Sequence, residues 1–151
     1  MRMVQAVIAL FLLLVMNSTA NAEEYRNVEV KKLMTSSMSS NGERLLYLCT
    51  EKPEVTALLV HFPPGGSTGW HKHPVQVYAY VLEGELTVEL KSGRTFLFKQ
   101  GDAIFEVTNT LHNGVNSGTL PATLVVFYTG AVGVPNVVKE ERAATSTAAS
   151  R

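Results

Sequence analysis

The chain has 151 residues, with 13 basic and 13 acidic side chains, and a pI near 6.9. That length accommodates one domain of ordinary size, and the neutral balance lacks the basic surface that nucleic acid or an anionic membrane would require. A single cysteine, Cys49, excludes an internal disulfide, so the fold must rest on its core.

Residues 1–22 differ from all that follow. Arg2 gives a positive start, residues 4–15 are apolar apart from Gln5, and Ala20-Asn21-Ala22 has the form of a cleavage site. The stretch reads as a secretory signal peptide cut after Ala22. It falls short of the roughly 20 apolar residues that a membrane span needs, and it lacks the cysteine that a lipoprotein carries at the cut. The expected location is periplasmic or secreted, with no membrane insertion after cleavage.

One domain is expected over residues 23–138. Val28-Glu29-Val30 opens a stretch that ends in the Ser-rich segment 34–42, a loop by composition. Strands are expected at residues 45–49, 55–62, 75–82, 86–90, 95–98, 103–107 and 122–128, each short and rich in Val, Leu, Phe, Tyr and Thr. Turn residues separate them at Pro63-Pro64-Gly65-Gly66, Glu83-Gly84, Ser92-Gly93, Gln100-Gly101-Asp102 and across 113–121. Outside the leader no window carries a helical repeat of apolar residues, so helix is confined to a turn or two near the C-terminus. Many short strands point to an all-β sandwich or barrel, whose closure hides sheet edges. Cys49, within an apolar run, is expected to be a small buried hydrophobe. Residues 139–151, charged and then Ala/Ser/Thr-rich, read as a disordered tail.

His71-Lys72-His73 places two imidazoles on one face of an extended strand. Such a pair can chelate a metal, since neutral imidazole suits Zn, Cu, Fe and Ni. An exposed strand can carry the same pattern without an ion, so the surroundings decide. Five residues separate Gly65 from His71, Pro74 follows the pair, and Tyr80 to Gly84 runs from strand into turn; a second block holds Gly101, Asp102, His112 and Asn116. These spacings resemble the two signature motifs of the cupin superfamily, G-x5-H-x-H-x3,4-E-x6-G and G-x5-P-x-G-x2-H-x3-N, over residues 65–116. The resemblance implies a small antiparallel jelly-roll β-barrel with a divalent Fe, Mn, Zn, Ni or Cu ion inside, held by His71, His73 and His112. The match departs at the glutamate, where the two spacings give Val77 or Tyr78. In the second motif Val107 stands in the proline place and Asn109 in the glycine place; Asn is among the few residues that accept a left-handed backbone.

Without the motif's carboxylate, Gln76 becomes the candidate for a fourth ligand or for a hydrogen-bond partner of a ligand. Strict alternation puts it on the face opposite His71 and His73, and a kink at Pro74 could rotate it inward. Three neutral imidazoles leave an ion's charge uncompensated, which favours an anionic ligand in the open positions. Trp70 and Tyr78 are candidates to line the pocket, Trp70 at its mouth, and Tyr80, Phe105, Phe127 and Tyr128 also stand near the motifs. Nothing in the sequence places a carboxylate or further histidine as a general base. His61 has no partner at ligand spacing and reads as structural or surface. The resemblance implies a metal-dependent enzyme acting on a small organic molecule, a dioxygenase if iron is bound and a Lewis-acid catalyst with other metals. The alternatives are a noncatalytic exported protein that captures a metal or small ligand in the same barrel, and a metal-free barrel whose histidines are satisfied by hydrogen bonds. A homodimer is expected, because exterior strand faces carry more apolar residues than a monomer needs and similar proteins pair through their strands.

Overall fold

The computed structural model describes residues 27–141. The expected signal peptide lies outside these residues, and so does the tail beyond residue 141. Residues 27–31 carry no strand, and the compact unit begins at Lys32.

Nine strands follow in chain order: β1 (Pro53–Phe62), β2 (His71–Lys72), β3 (Gln76–Glu83), β4 (Glu85–Leu90), β5 (Thr95–Lys99), β6 (Ala103–Phe105), β7 (His112–Val115), β8 (Ala122–Ala131) and β9 (Val138–Lys139). They form two antiparallel sheets, one ordered β1-β8-β3-β6 and the other β5-β4-β7-β2-β9. No helix occurs among the described residues. The fold is the expected all-β jelly roll.

Period-two alternation decides which side chains meet between the sheets. Val77, Ala79 and Val81 of β3 pair with Tyr128, Val126 and Leu124 of β8, and all six are buried. Leu86 and Val88 close the core from the other sheet. The alternate residues of the first sheet, Tyr78 and Tyr80 on β3 with Phe127 and Val125 on β8, point to its outer face. The turn from β3 to β4 requires glycine: Gly84 has φ +72°, and a Cβ there would stand 2.3 Å from the Pro121 carbonyl oxygen. An L side chain fits neither that backbone nor that space.

Three expectations change. Residues 45–49 form no strand; Leu46 and Tyr47 are 67% and 72% exposed, and Cys49 is exposed rather than buried. The run has strand-like composition but no neighbour supplies the ladder that would hold it, and propensity cannot replace that partner. Within 113–121, read as turn, Asn113-Gly114-Val115 instead belongs to β7, a central strand between β4 and β2. Sheet position overrides the turn-like composition there. At the C-terminus the fold runs past residue 138: Lys139 pairs with His71, and the Glu140 amide donates to the Trp70 carbonyl at 3.0 Å.

Candidate metal centre

β2 and β7 place His71 directly opposite His112, so both imidazoles leave one face of the sheet. His73, two residues on from His71, joins them beyond the end of β2. The motif residues around them hold the loops in place. Gly65 donates its amide to the Asn116 carbonyl at 2.9 Å, and the Asn109 amide donates to the His73 carbonyl at 2.8 Å. Asn109 has φ 55°, so the asparagine in the glycine place of the second motif does adopt the left-handed conformation. Asn116 is fully buried; its amide donates to the Phe62 and Leu120 carbonyls at 3.0 and 2.8 Å.

All three imidazoles are buried, and each gives Nδ1 to a backbone carbonyl: His71 to Gly69 at 2.8 Å, His73 to Asn136 at 2.8 Å and His112 to Thr110 at 2.9 Å. A ring that donates through Nδ1 presents Nε2 as its free nitrogen. One ligand nitrogen from each of the three lies within 4.8 Å of the others. The Nε2 atoms of His71 and His73 are 3.2 Å apart, and no proton is needed on either once Nδ1 is bonded. Two nitrogens held at about 2.0–2.1 Å from a common ion in tetrahedral or octahedral array stand about 2.9–3.4 Å apart. The donor set therefore fits a divalent ion.

The structure adds a residue that the sequence did not single out. Glu106 follows β6, and its Oε2 lies 3.2 Å from His112 Nε2 and 3.7 Å from His73 Nε2. The closer contact is out of line for a good N–H···O bond, and His112 Nε2 has no hydrogen-bond partner. Burial favours the neutral forms of His71 and His73, pushing His71 down to about 4 and His73 below its ordinary value. Burial also works against a charge on His112, but the adjacent carboxylate outweighs it and raises that pKa. Burial alone would raise the pKa of Glu106; the three imidazoles reverse this and hold it below the ordinary carboxylate value. Glu106 is thus an ionised carboxylate beside the histidines, which corrects the expectation of a purely neutral donor set and of no carboxylate in position. The inward alternation of residues 104 and 106 was the available signal, but the motif spacing directed attention to residue 77 instead.

Gln76 does not enter the cluster. It pairs with Thr129 on β8, on the outer face as strict alternation requires. Its Nε2 donates to the Glu106 backbone carbonyl at 3.4 Å, and its Oε1 accepts from Thr108 Oγ1 at 3.3 Å. Gln76 therefore anchors the backbone that carries Glu106. Trp70 and Tyr78 do not line the cavity. Lys91 Nζ lies 4.0 Å from the centre of the Trp70 ring, and Tyr78 packs edge-on against Phe105 on the outer face. Tyr78 is a β3 outer-face residue, and Trp70 precedes the strand that carries His71. His61 is exposed, with Nδ1 3.2 Å from Thr123 Oγ1.

The histidines and Glu106 lie at the polar end of a cavity of about 60 Å³. Apolar side chains, among them Phe62, Leu86, Leu124 and Val126, form the remaining walls, with Tyr128 beside His73. Burial, and to a lesser degree the Glu106 charge, raise the Tyr128 pKa and keep the phenol protonated. The space admits an ion and a few water-sized atoms.

No curated protein matches the chain. Among solved structures it is similar to the polyketide cyclase RemF from Streptomyces resistomycificus, with 27% identity over 63% of this chain and 65% of that one and a TM-score of 0.49. A predicted oxalate decarboxylase from Thermotoga maritima matches at 27% identity over 49% of this chain and 64% of that one, with a TM-score of 0.44. A conserved protein with a double-stranded β-helix domain from Klebsiella pneumoniae matches at 25% identity over 74% of this chain and 100% of that one, with a TM-score of 0.48. The chain spans less than two thirds of the length of the first two. The cupin domain family matches residues 58–128, the stretch that carries β2 to β7, all three clustered histidines, the second half of β1 and the first seven residues of β8.

Proposed function

We propose that the protein is an exported metal-dependent enzyme acting on a small organic molecule, with His71, His73 and His112 as metal ligands. The observation that carries this reading is the convergence of three buried imidazoles whose Nδ1 atoms are all committed to backbone carbonyls. A divalent ion bound there supplies Lewis acidity or, as iron(II), the capacity for dioxygenation. The chain's own residues do the rest. The backbone carbonyls aim the rings, the apolar wall excludes water, and Glu106 and Tyr128 are the other titratable side chains at the cavity. Glu106 already supplies one negative charge, so the substrate need not be anionic. Cavity size restricts it to a compact molecule or one that enters by a fragment.

Export rests on the leader-like residues 1–22, and the mature protein is placed in the periplasm or outside the cell. A second reading, a noncatalytic protein that captures a metal or small ligand, draws support from that same narrow cavity. The two readings separate by turnover of candidate substrates and by an exchangeable water on the bound ion. Pairing into a homodimer is part of this reading and rests on the position of β1 at the edge of its sheet.

Elemental analysis of the untagged mature protein tests the centre directly. Near-stoichiometric metal is expected, with none in the His71→Ala/His112→Ala variant. Wild-type protein that takes up no ion, even after anaerobic reconstitution with several divalent metals, overturns the reading and leaves a metal-free barrel.

A further inference from the structure

The first motif places its glutamate at residue 77 when counted back from Gly84, and valine stands there. β3 and β6 are antiparallel, with Tyr78 opposite Phe105 and Ala79 opposite Ile104. Continuing that register by one step brings Glu106 opposite Val77, and the Glu106 amide donates to the Val77 carbonyl at 3.0 Å. Residues directly opposite in an antiparallel pair project to the same face, with Cβ atoms about 4.5–5.5 Å apart. Val77 is 1% exposed and faces the core. A carboxylate at position 106 therefore enters the barrel beside the place where one at position 77 would enter, from the neighbouring strand.

Its surroundings match that role. Among the described residues, the groups within ion-pair distance of the Glu106 carboxylate are the imidazoles of His73 and His112. The 3.2 Å separation from His112 Nε2 is that of two donor atoms sharing one ion at about 2.0–2.2 Å. The Glu106 backbone is held through its carbonyl by Gln76 and through its amide by the hydrogen bond to Val77, so the side chain starts from a fixed point.

We propose that Glu106 is the carboxylate ligand of the metal centre, carried by the end of β6 across the ladder from the motif position that Val77 occupies. The proposal rests on the reading of the three histidines as ligands and adds a fourth donor to them.

The test measures cobalt(II) and zinc(II) affinity by chelator competition on the full mature chain, alongside the visible absorption of the cobalt form. Three proteins are compared: wild type, Glu106→Gln, and the transposed Val77→Glu/Glu106→Val. Glu106→Gln keeps the side chain's size, and its thermal melt reports whether it is folded. It is expected to bind about 10–100-fold more weakly, with a changed cobalt spectrum because an oxygen donor is lost. The transposed variant is expected to recover most of the affinity. Equal affinity in wild type and Glu106→Gln overturns the proposal, and so does weaker binding with an unchanged cobalt spectrum, which would mean that the carboxylate acts only by its charge. If the transposed variant does not fold, affinity and spectrum of Glu106→Gln decide. Failure of the wild type to bind either ion is a different outcome: the histidine reading itself falls, and this proposal with it.

Discussion

Each imidazole of the cluster commits one nitrogen to the backbone and turns the other toward its neighbours, an arrangement with a consequence for acid stability. Burial lowers the pKa of His71 from 6.5 to about 4 and lowers that of His73 as well. A histidine whose folded pKa is depressed binds its proton more readily when unfolded, so protonation favours the unfolded chain. The destabilisation begins as pH falls through 6.5 and, for His71, is complete below about 4. Glu106, also depressed, acts in the same direction as it is protonated. His112, with a raised pKa, opposes them, since its contribution is present below 6.5 and lost as pH rises through its folded value. His112 titrates above 6.5 and Glu106 below 4.5, so between those values the two depressed histidines set the dependence, and the chelator-treated protein is expected to melt at progressively lower temperature as pH falls from 6.5 toward 4. His71→Ala should flatten that dependence; a thermal melt by circular dichroism at each pH provides the comparison.

Among the elements, the short strand β2 carries the most function on the least structure. Its two residues are held between β7 and β9, and the C-terminal segment contributes to the site twice. β9 pairs with His71 and Lys72, and the Asn136 carbonyl accepts from His73 Nδ1. Lys139 Nζ further donates to the Thr68 carbonyl. Truncation after Val134 removes all of these contacts and retains a residue packed on the core. It is expected to weaken metal binding by about tenfold or more, the loss typical when a ligand histidine's supporting bond is removed. Chelator competition reads the effect, and wild-type affinity in the truncated protein would show that the segment has no part in orienting His73. The β3–β4 turn is sensitive for another reason. Gly84→Ala adds a Cβ into the Pro121 carbonyl at a positive φ, and a loss of about 2–4 kcal/mol in a denaturant titration is expected.

At the scale of the whole molecule, β1 lies at one edge of its sheet, and its ten residues have no strand on the other side among the described residues. Val55 and Leu59 on its outer face are 63% and 70% exposed, and Phe127 on the neighbouring strand is 44% exposed. A long apolar edge strand invites pairing with another copy, and two-fold antiparallel pairing of β1 with its counterpart would satisfy both edges at once. Gel filtration of the mature protein is expected to give a dimer, and Leu59→Lys a monomer. A wild-type protein that runs as a monomer at high concentration would remove the proposal without touching the metal centre.

The sequence by itself determined the class of fold and most of the site, because those follow from short-range patterns. Composition and bounding turn residues marked six of the strands, β1, β3, β4, β5, β6 and β8, and the i, i+2 spacing of His71 and His73 put both on one face. Motif spacing brought in His112, and the tolerance of asparagine for positive φ anticipated Asn109. What only the tertiary structure decided was pairing. β7 and β9 are strands because partners hold them, whereas residues 45–49 lack a ladder partner among the described residues, and Leu46 to Cys49 remain exposed. Glu106 joins the histidines because β6 lies beside β3 in one particular register. Register depends on contacts between residues about 30 positions apart, and no local pattern in either strand records it.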